Sequence, residues 1–219
     1  LTLSAGNTLY FWPGTTYAPG GNIVSNAFLV PVGSSFTGNG SAVDINGSLT
    51  INGTFNQGTS PLNVSGNVTI TSGGQFIKAS NDAVFTLDGN LTYVDASQSN
   101  VGNLQVGMSP EVIILESDLI TDTLVIGTGD TLVLSGYNVF VSEDVILHGL
   151  MNATNSGTVT STVTVSGSWV AYGTGDLLSG SSTVLFDGES GSHTVTASGA
   201  FYNLQFAGDG GSWTATGAD

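Results

Sequence analysis

Apolar and polar residues alternate along most of this chain with period two, not at the three-and-four spacing of an amphipathic helix. Leu62–Ile70 reads LNVSGNVTI and residues 158–165 read TVTSTVTV. β-Branched residues bounded by Gly, Asn, Ser and Asp are the vocabulary of short strands and tight turns. The pattern therefore predicts an all-β protein whose strands bury one side and expose the other.

The alternation is itself repeated. An apolar-x-apolar-x-Gly-x-apolar-x-apolar unit occurs at Val43–Ile51, Leu62–Ile70, Phe85–Tyr93 and Val163–Ala171. A degenerate copy at Val139–Leu147 carries Glu143-Asp144 in place of the Gly pair, and neighbouring copies lie 19, 23 and 24 residues apart. A period near twenty suits one coil of a solenoid, whose coils must stack because none buries its own inner face. Glycine at the centre of the unit places a sharp corner between two strands.

A longer period overlies the short one. Val64-Ser65-Gly66 matches Val165-Ser166-Gly167, Asp88-Gly89 matches Asp187-Gly188, and Asn103-Leu104-Gln105-Val106 matches Asn203-Leu204-Gln205-Phe206. The offsets are 101, 99 and 100 residues, which indicates two copies of a module of about 100 residues, the second incomplete. Together with a first residue that is Leu1 rather than Met, this is expected of a mature or excerpted piece of a longer repetitive protein.

The stretch Val163–Phe206, with its VSGSW, STVLFDG, HTVT and FYNLQF elements, resembles repeats of large secreted surface proteins of bacteria and archaea. The likeness extends over residues 62–219 and fades in the first forty. It implies an adhesin-like or fibre-forming β-helix at a cell surface and brings no catalytic motif with it.

Composition narrows the function. Hydrophobic residues make up 40% of the chain, enough for a core, and only 8% of residues are charged. Sixteen acids against one base, Lys78, give a net charge of −15. Nucleic-acid binding and docking on anionic membranes both need Lys and Arg, so neither is expected. There is no Cys, hence no disulfide framework or thiolate metal site. Apolar runs are too short to span a bilayer.

Candidate chemistry is sparse. β-Helix polysaccharide lyases and glycosidases are the alternative class, but a lyase base could only be Lys78. A hydrolase needs two carboxylates about 5–9.5 Å apart, for which Asp88, Glu143, Asp144, Asp187 and Glu189 are the candidates. Asp88 and Asp187 also read as turn residues before Gly. His148 and His193 stand alone, without triad or metal spacing. Glu116, Asp118 and Asp122 are the calcium candidates, weighed against a solvated acidic face. Seven Asn-x-Ser/Thr sequons mark glycosylation candidates at Asn39, Asn46, Asn52, Asn63, Asn67, Asn90 and Asn152.

The sequence thus predicts a single-stranded parallel β-helix of roughly ten coils, with tandem β-sandwich modules as the alternative. Residues 1–40, with clustered aromatics at Tyr10-Phe11-Trp12 and three of the five prolines, are expected to be an N-terminal cap or subunit-docking segment; residues 41–219 form the helix. Expected core positions are Val64, Val68, Ile70, Leu87, Leu91, Val165, Trp169, Leu204 and Phe206, and Asn103 and Asn203 are candidates for buried ladders. The expected function is structural and non-enzymatic: an extracellular filament, lattice or adhesin-stalk protein partnered by copies of itself or further repeats. A carbohydrate-binding or carbohydrate-cleaving β-helix is the second reading, favoured if Trp12, Trp169 and Trp213 line one groove.

Overall fold

The computed structural model describes residues 2, 7–10, 12–107, 110–154 and 159–217. Among them there is no helix; 28 short strands wind into a three-sided β-solenoid of about ten coils. One face is a ten-stranded sheet running from Ile23–Ser25 to Ser212–Gly217, and the next is a nine-stranded sheet from Thr8–Tyr10 to Asp176–Leu178. The third face is split into a four-stranded sheet, Thr16–Tyr17 to Gln75–Ile77, and a five-stranded sheet, Leu119–Thr121 to Asn203–Phe206. Strands pair parallel from coil to coil, which is solenoid stacking and not the antiparallel pairing of a sandwich.

Register turns the alternation into ladders. On the ten-stranded face Ile23, Val43, Leu62, Phe85, Leu104, Leu124, Val145, Trp169 and Val195 are successive partners pointing inward. All nine are at most 5% exposed. Each such side chain contributes roughly 1.5–3 kcal/mol by leaving water. The four-stranded sheet adds a file of stacked rings: Phe36 on Phe55 at 4.8 Å and Phe55 on Phe76 at 5.5 Å.

The nine-residue unit proves to be two strands around one corner. In Val43–Ile51, Leu62–Ile70 and Phe85–Tyr93 the first strand belongs to the ten-stranded face and the second to the nine-stranded face. In Val139–Leu147 and Val163–Ala171 the first strand lies on the third face and the second on the ten-stranded face. The module of about 100 residues is therefore displaced by one face. Asn103–Val106 is in the ten-stranded sheet, whereas Asn203–Phe206 is in the five-stranded sheet.

Glycine is required at these corners by crowding. A Cβ on Gly47 would collide with the Asn26 carbonyl, one on Gly66 with Gly47, and one on Gly188 with the Ser166 carbonyl. None of the three has positive φ. Backbones of consecutive coils simply pass too close for a side chain.

The third face breaks where Asp95, 2% exposed, replaces a strand with a hydrogen-bonded turn. Its carboxylate accepts from the Ser97 amide at 2.8 Å, the Ser97 hydroxyl at 2.7 Å and the Ser99 amide at 2.8 Å. The buried Tyr93 hydroxyl donates to it at 3.4 Å. Burial, reinforced by the Asp95 charge and hydrogen bond, pushes the Tyr93 hydroxyl well above its ordinary pKa.

Seven of the nine expected core residues are buried, but Leu204 is 43% and Phe206 53% exposed. Among the described residues their strand has a neighbour on one side only, Thr183–Phe186, so no strand lies over them, although the Trp213 ring packs on Phe206. Nor do the asparagines form buried ladders: Asn103 is half-buried and Asn203 exposed, on different faces. Strands within residues 1–40 belong to the same sheets as the rest, since Ile23–Ser25 pairs with Val43–Ile45 and Ala27–Val30 with Leu49–Ile51. Phe11 of the aromatic cluster lies outside the described residues.

Candidate functional site

The winding separates Asp122 from the other two calcium candidates, Glu116 and Asp118, which line one recess with Asp95. Asp122 is engaged by Lys78, whose ammonium donates to its two oxygens at 2.5 and 2.7 Å, and it also accepts from Asn100 at 2.8 Å and Ser142 at 3.0 Å. Burial alone would raise the Asp122 pKa. The hydrogen bonds from Lys78, Asn100 and Ser142, with the Lys78 charge, outweigh burial and hold it below the usual carboxylate value. Asp118 accepts from the Asn138 amide at 2.8 Å, while Glu116 lines a shallow recess beside Tyr137 and Gln98. Among the described residues no three His, Cys, Asp or Glu side chains gather as a metal-binding group.

Asp118 illustrates a wider device that the local sequence shows only as turn chemistry. Corner Asn and Asp oxygens accept backbone amides of the next coil where strand pairing lapses: Asn22 from Ala42, Asn67 from Thr92, Asn90 from Val112, Asn138 from Thr162 and Asp144 from Ser168. Each extends the ladder by one bond around the corner. Such an Asx contact between coils satisfies an amide that would otherwise be left open.

Of the hydrolase candidates, Asp88 receives the Asn63 side-chain amide at 3.4 Å and Asp187 the Ser166 hydroxyl at 2.8 Å, at different corners of the solenoid. Glu143, Asp144 and Glu189 do come together. They line a corner recess of about 420 Å³ with His193 and Ser190. The His193 ring contacts the Ser190 carbonyl at 2.9 Å and packs against Trp213 with centroids 5.5 Å apart. Buried Asp130, outside all these candidates, has its pKa raised by burial, with the nearby Asp88 charge adding and the Glu111 amide opposing.

No family model, curated protein or solved structure matches the chain. The likeness of Val163–Phe206 to surface-protein repeats therefore rests on sequence motifs alone, and function has to be argued from geometry.

The sequons divide by exposure. Asn39, Asn46, Asn67 and Asn90 are exposed, and the last three follow one another along the corner between the ten- and nine-stranded faces. Asn52, Asn63 and Asn152 are half-buried. The Asn63 amide nitrogen, the atom a glycan would occupy, points at Asp44 and Asp88 at 3.3 and 3.4 Å.

The three tryptophans do not share a groove. Trp12 is 77% exposed near the first coil, Trp169 is 1% exposed in the core, and Trp213 packs on Phe186 and Phe206 while donating to the Gly167 carbonyl at 3.2 Å. A groove built without tryptophan lies on the outward side of the ten-stranded face. It has a volume of about 730 Å³ and is lined by Ile146, Val170, Thr194, Thr196 and Thr216 on the strands, by Asp144 and Ser168 at the corner before them and by Tyr172 at the corner after. Tyr172 stacks on His148 of the preceding coil, centroids 5.1 Å apart and rings 13° from parallel. Coil length carries a signal for this pair: His148 and Tyr172 are as far apart in sequence as the stacked partners Val145 and Trp169.

Proposed function

We propose that this chain is a structural, non-catalytic rod of a cell surface, a building block of a filament, lattice or adhesin stalk whose neighbours are copies of itself or further repeats. The observation that carries the reading is the continuous parallel stack of about ten coils. At about 4.8 Å per coil the stack runs some 45 Å, with backbone hydrogen bonds along its axis. Such an array resists extension and needs neither disulfides nor metal for stiffness.

Both ends of the stack also favour assembly. Thr8–Tyr10 and Thr16–Tyr17 at one end, Asn203–Phe206 and Ser212–Gly217 at the other, have strand partners on one side only among the described residues. Unpaired edges of matching parallel direction are templates for pairing. Tyr10 at 51%, Trp12 at 77% and Tyr202 at 64% exposure give these ends apolar surface to bury. The exposed sequons Asn39, Asn46, Asn67 and Asn90 agree with an extracellular setting, in which they are the sites to carry glycans.

Electron microscopy of the purified chain across a concentration series tests the reading. Rods that lengthen by whole solenoid units support it; single short particles at every concentration overturn self-assembly.

A further inference from the structure

We propose that the groove on the outward side of the ten-stranded face is a binding site for an uncharged oligosaccharide. A pyranose offers two chemistries: a face of C–H groups that packs on an aromatic ring, and a rim of hydroxyls that exchange hydrogen bonds with hydroxyls and carboxylates. Both are supplied here, by residues drawn from successive coils but adjacent on one surface.

Tyr172 supplies the platform. Its side chain is 53% exposed, yet the ring is braced by His148 at 5.1 Å, so one side is covered and its open surface belongs to the groove. A ring already held in place loses little freedom on binding. The floor joins two aliphatic side chains, Ile146 and Val170, to a row of hydroxyls. Thr194 and Thr196 alternate outward on Ser192–Ala197, and Thr216 follows on the next strand with its hydroxyl 2.6 Å from that of Thr196. Asp144 forms the opposite wall. It is fixed by accepting the Ser168 amide at 2.7 Å, and Ser168 in turn accepts the Thr194 amide at 3.2 Å.

Size and charge define the ligand class. A volume of about 730 Å³ lies within the range of small-molecule sites, roughly 300–1,000 Å³. Asp144 also lines the corner recess with Glu143, Glu189 and His193, so the surface continues past a single sugar toward further subsites. Three carboxylates and a net charge of −15 repel uronates, sulfated sugars and phosphates. A neutral hexose or pentose chain fits, and the site stands whether or not the rod polymerises.

Calorimetric titration of the full chain with hexaoses of glucose, mannose, galactose and xylose tests this, with hexagalacturonate as the anionic comparison. At least one neutral hexaose should bind with a Kd under about 1 mM and hexagalacturonate about tenfold more weakly or not at all. Tyr172→Ala should weaken binding by about tenfold or more, and Tyr172→Phe by less than about threefold, because the ring and not its hydroxyl is the platform. Thr196→Val, an outward position that the fold tolerates, should weaken it by about threefold and decides the matter should Tyr172→Ala fail to fold. The proposal is overturned if no neutral hexaose binds, if hexagalacturonate binds as tightly, or if a folded Tyr172→Ala or Thr196→Val protein binds like the wild type.

Discussion

Leu104 and Leu204 occupy the same place in a repeated Asn-Leu-Gln-apolar tetrapeptide, yet Leu104 is 1% exposed and Leu204 is 43% exposed. Leu104 is registered between Phe85 and Leu124, whereas Leu204 is registered with Val184 alone among the described residues. The local sequence directs both side chains inward. What differs is the coil above. In a solenoid the burial of a residue belongs to its stacked neighbours, and an identical motif becomes core or surface according to whether something is laid over it.

The largest break between the two sites is expected from truncation. Leu104→Ala leaves a cavity among buried ladder neighbours and should cost roughly 2–5 kcal/mol in urea unfolding. Leu204→Ala should cost less than about 1 kcal/mol, as surface changes usually do. Equal losses at the two positions would mean that Leu204 is covered in solution, and would count for end-to-end contact under the assembly conditions.

Glycine corners sharpen the comparison, because here the two modules should behave alike. Gly66 and Gly167 are module equivalents on different corners, and a Cβ on either strikes the backbone of the preceding coil. Gly66→Ala and Gly167→Ala should each destabilise by about 1–3 kcal/mol through overpacking. Gly73, with open space around it and no positive φ, should accept Ala without loss. Thermal melts of the three variants measure this, and a harmless Gly167→Ala would show that the second module packs more loosely than the first.

These pairs also explain what could be read in advance. Alternation and the spacing of glycine units imply stacked parallel strands directly, since each strand's inward residues and each corner's lack of a side chain are local properties. The one-face displacement of the second module is not local: either corner needs the same small residue, so Gly66 and Gly167 look identical in sequence. Glu116, Asp118 and Asp122 are close along the chain, but a corner and a strand between them send Asp118 to Asn138 and Asp122 to Lys78. Conversely His148 and Tyr172 meet only because one coil separates them. Such a pair becomes visible once the coil length is known, and not before.

A smaller effect separates the modules at high pH. Tyr93 stacks on Val68 as Val195 stacks on Trp169, so Tyr93 and Asp95 correspond to Val195 and Ala197 in the second module, and the buried hydroxyl–carboxylate contact exists in the first alone. The folded state holds the Tyr93 hydroxyl protonated far above the ordinary value of 10.0, whereas the unfolded chain ionises there. The unfolded state then binds fewer protons, and stability falls as pH rises above about 10. Tyr93→Phe should flatten that decline in unfolding experiments between about pH 9 and 12, at the cost of a hydrogen bond worth about 1 kcal/mol at neutral pH. An unchanged slope would place the alkaline sensitivity elsewhere.

The smallest expected effect concerns the single cation. Lys78 reaches Asp122 from an exposed side chain, and the module-equivalent position, at the offset of 101 residues that relates Val64 to Val165, is the uncharged Ser179. The pair is partly solvated, so Lys78→Met should change stability at neutral pH by less than about 1 kcal/mol. Its sign with pH is definite. Asp122 has a folded pKa below its ordinary 3.8, so its contribution is complete above 3.8 and disappears as pH falls through the lower folded value. Acid titrations of wild type and Lys78→Met should therefore converge below that range and separate slightly above it, with the gap narrowing in salt. A gap that persists at the acid end would assign Lys78 a packing role and not an ionic one. Its aliphatic stem lies over Gly102, where an added Cβ would come within 3.1 Å of the Lys78 Cβ.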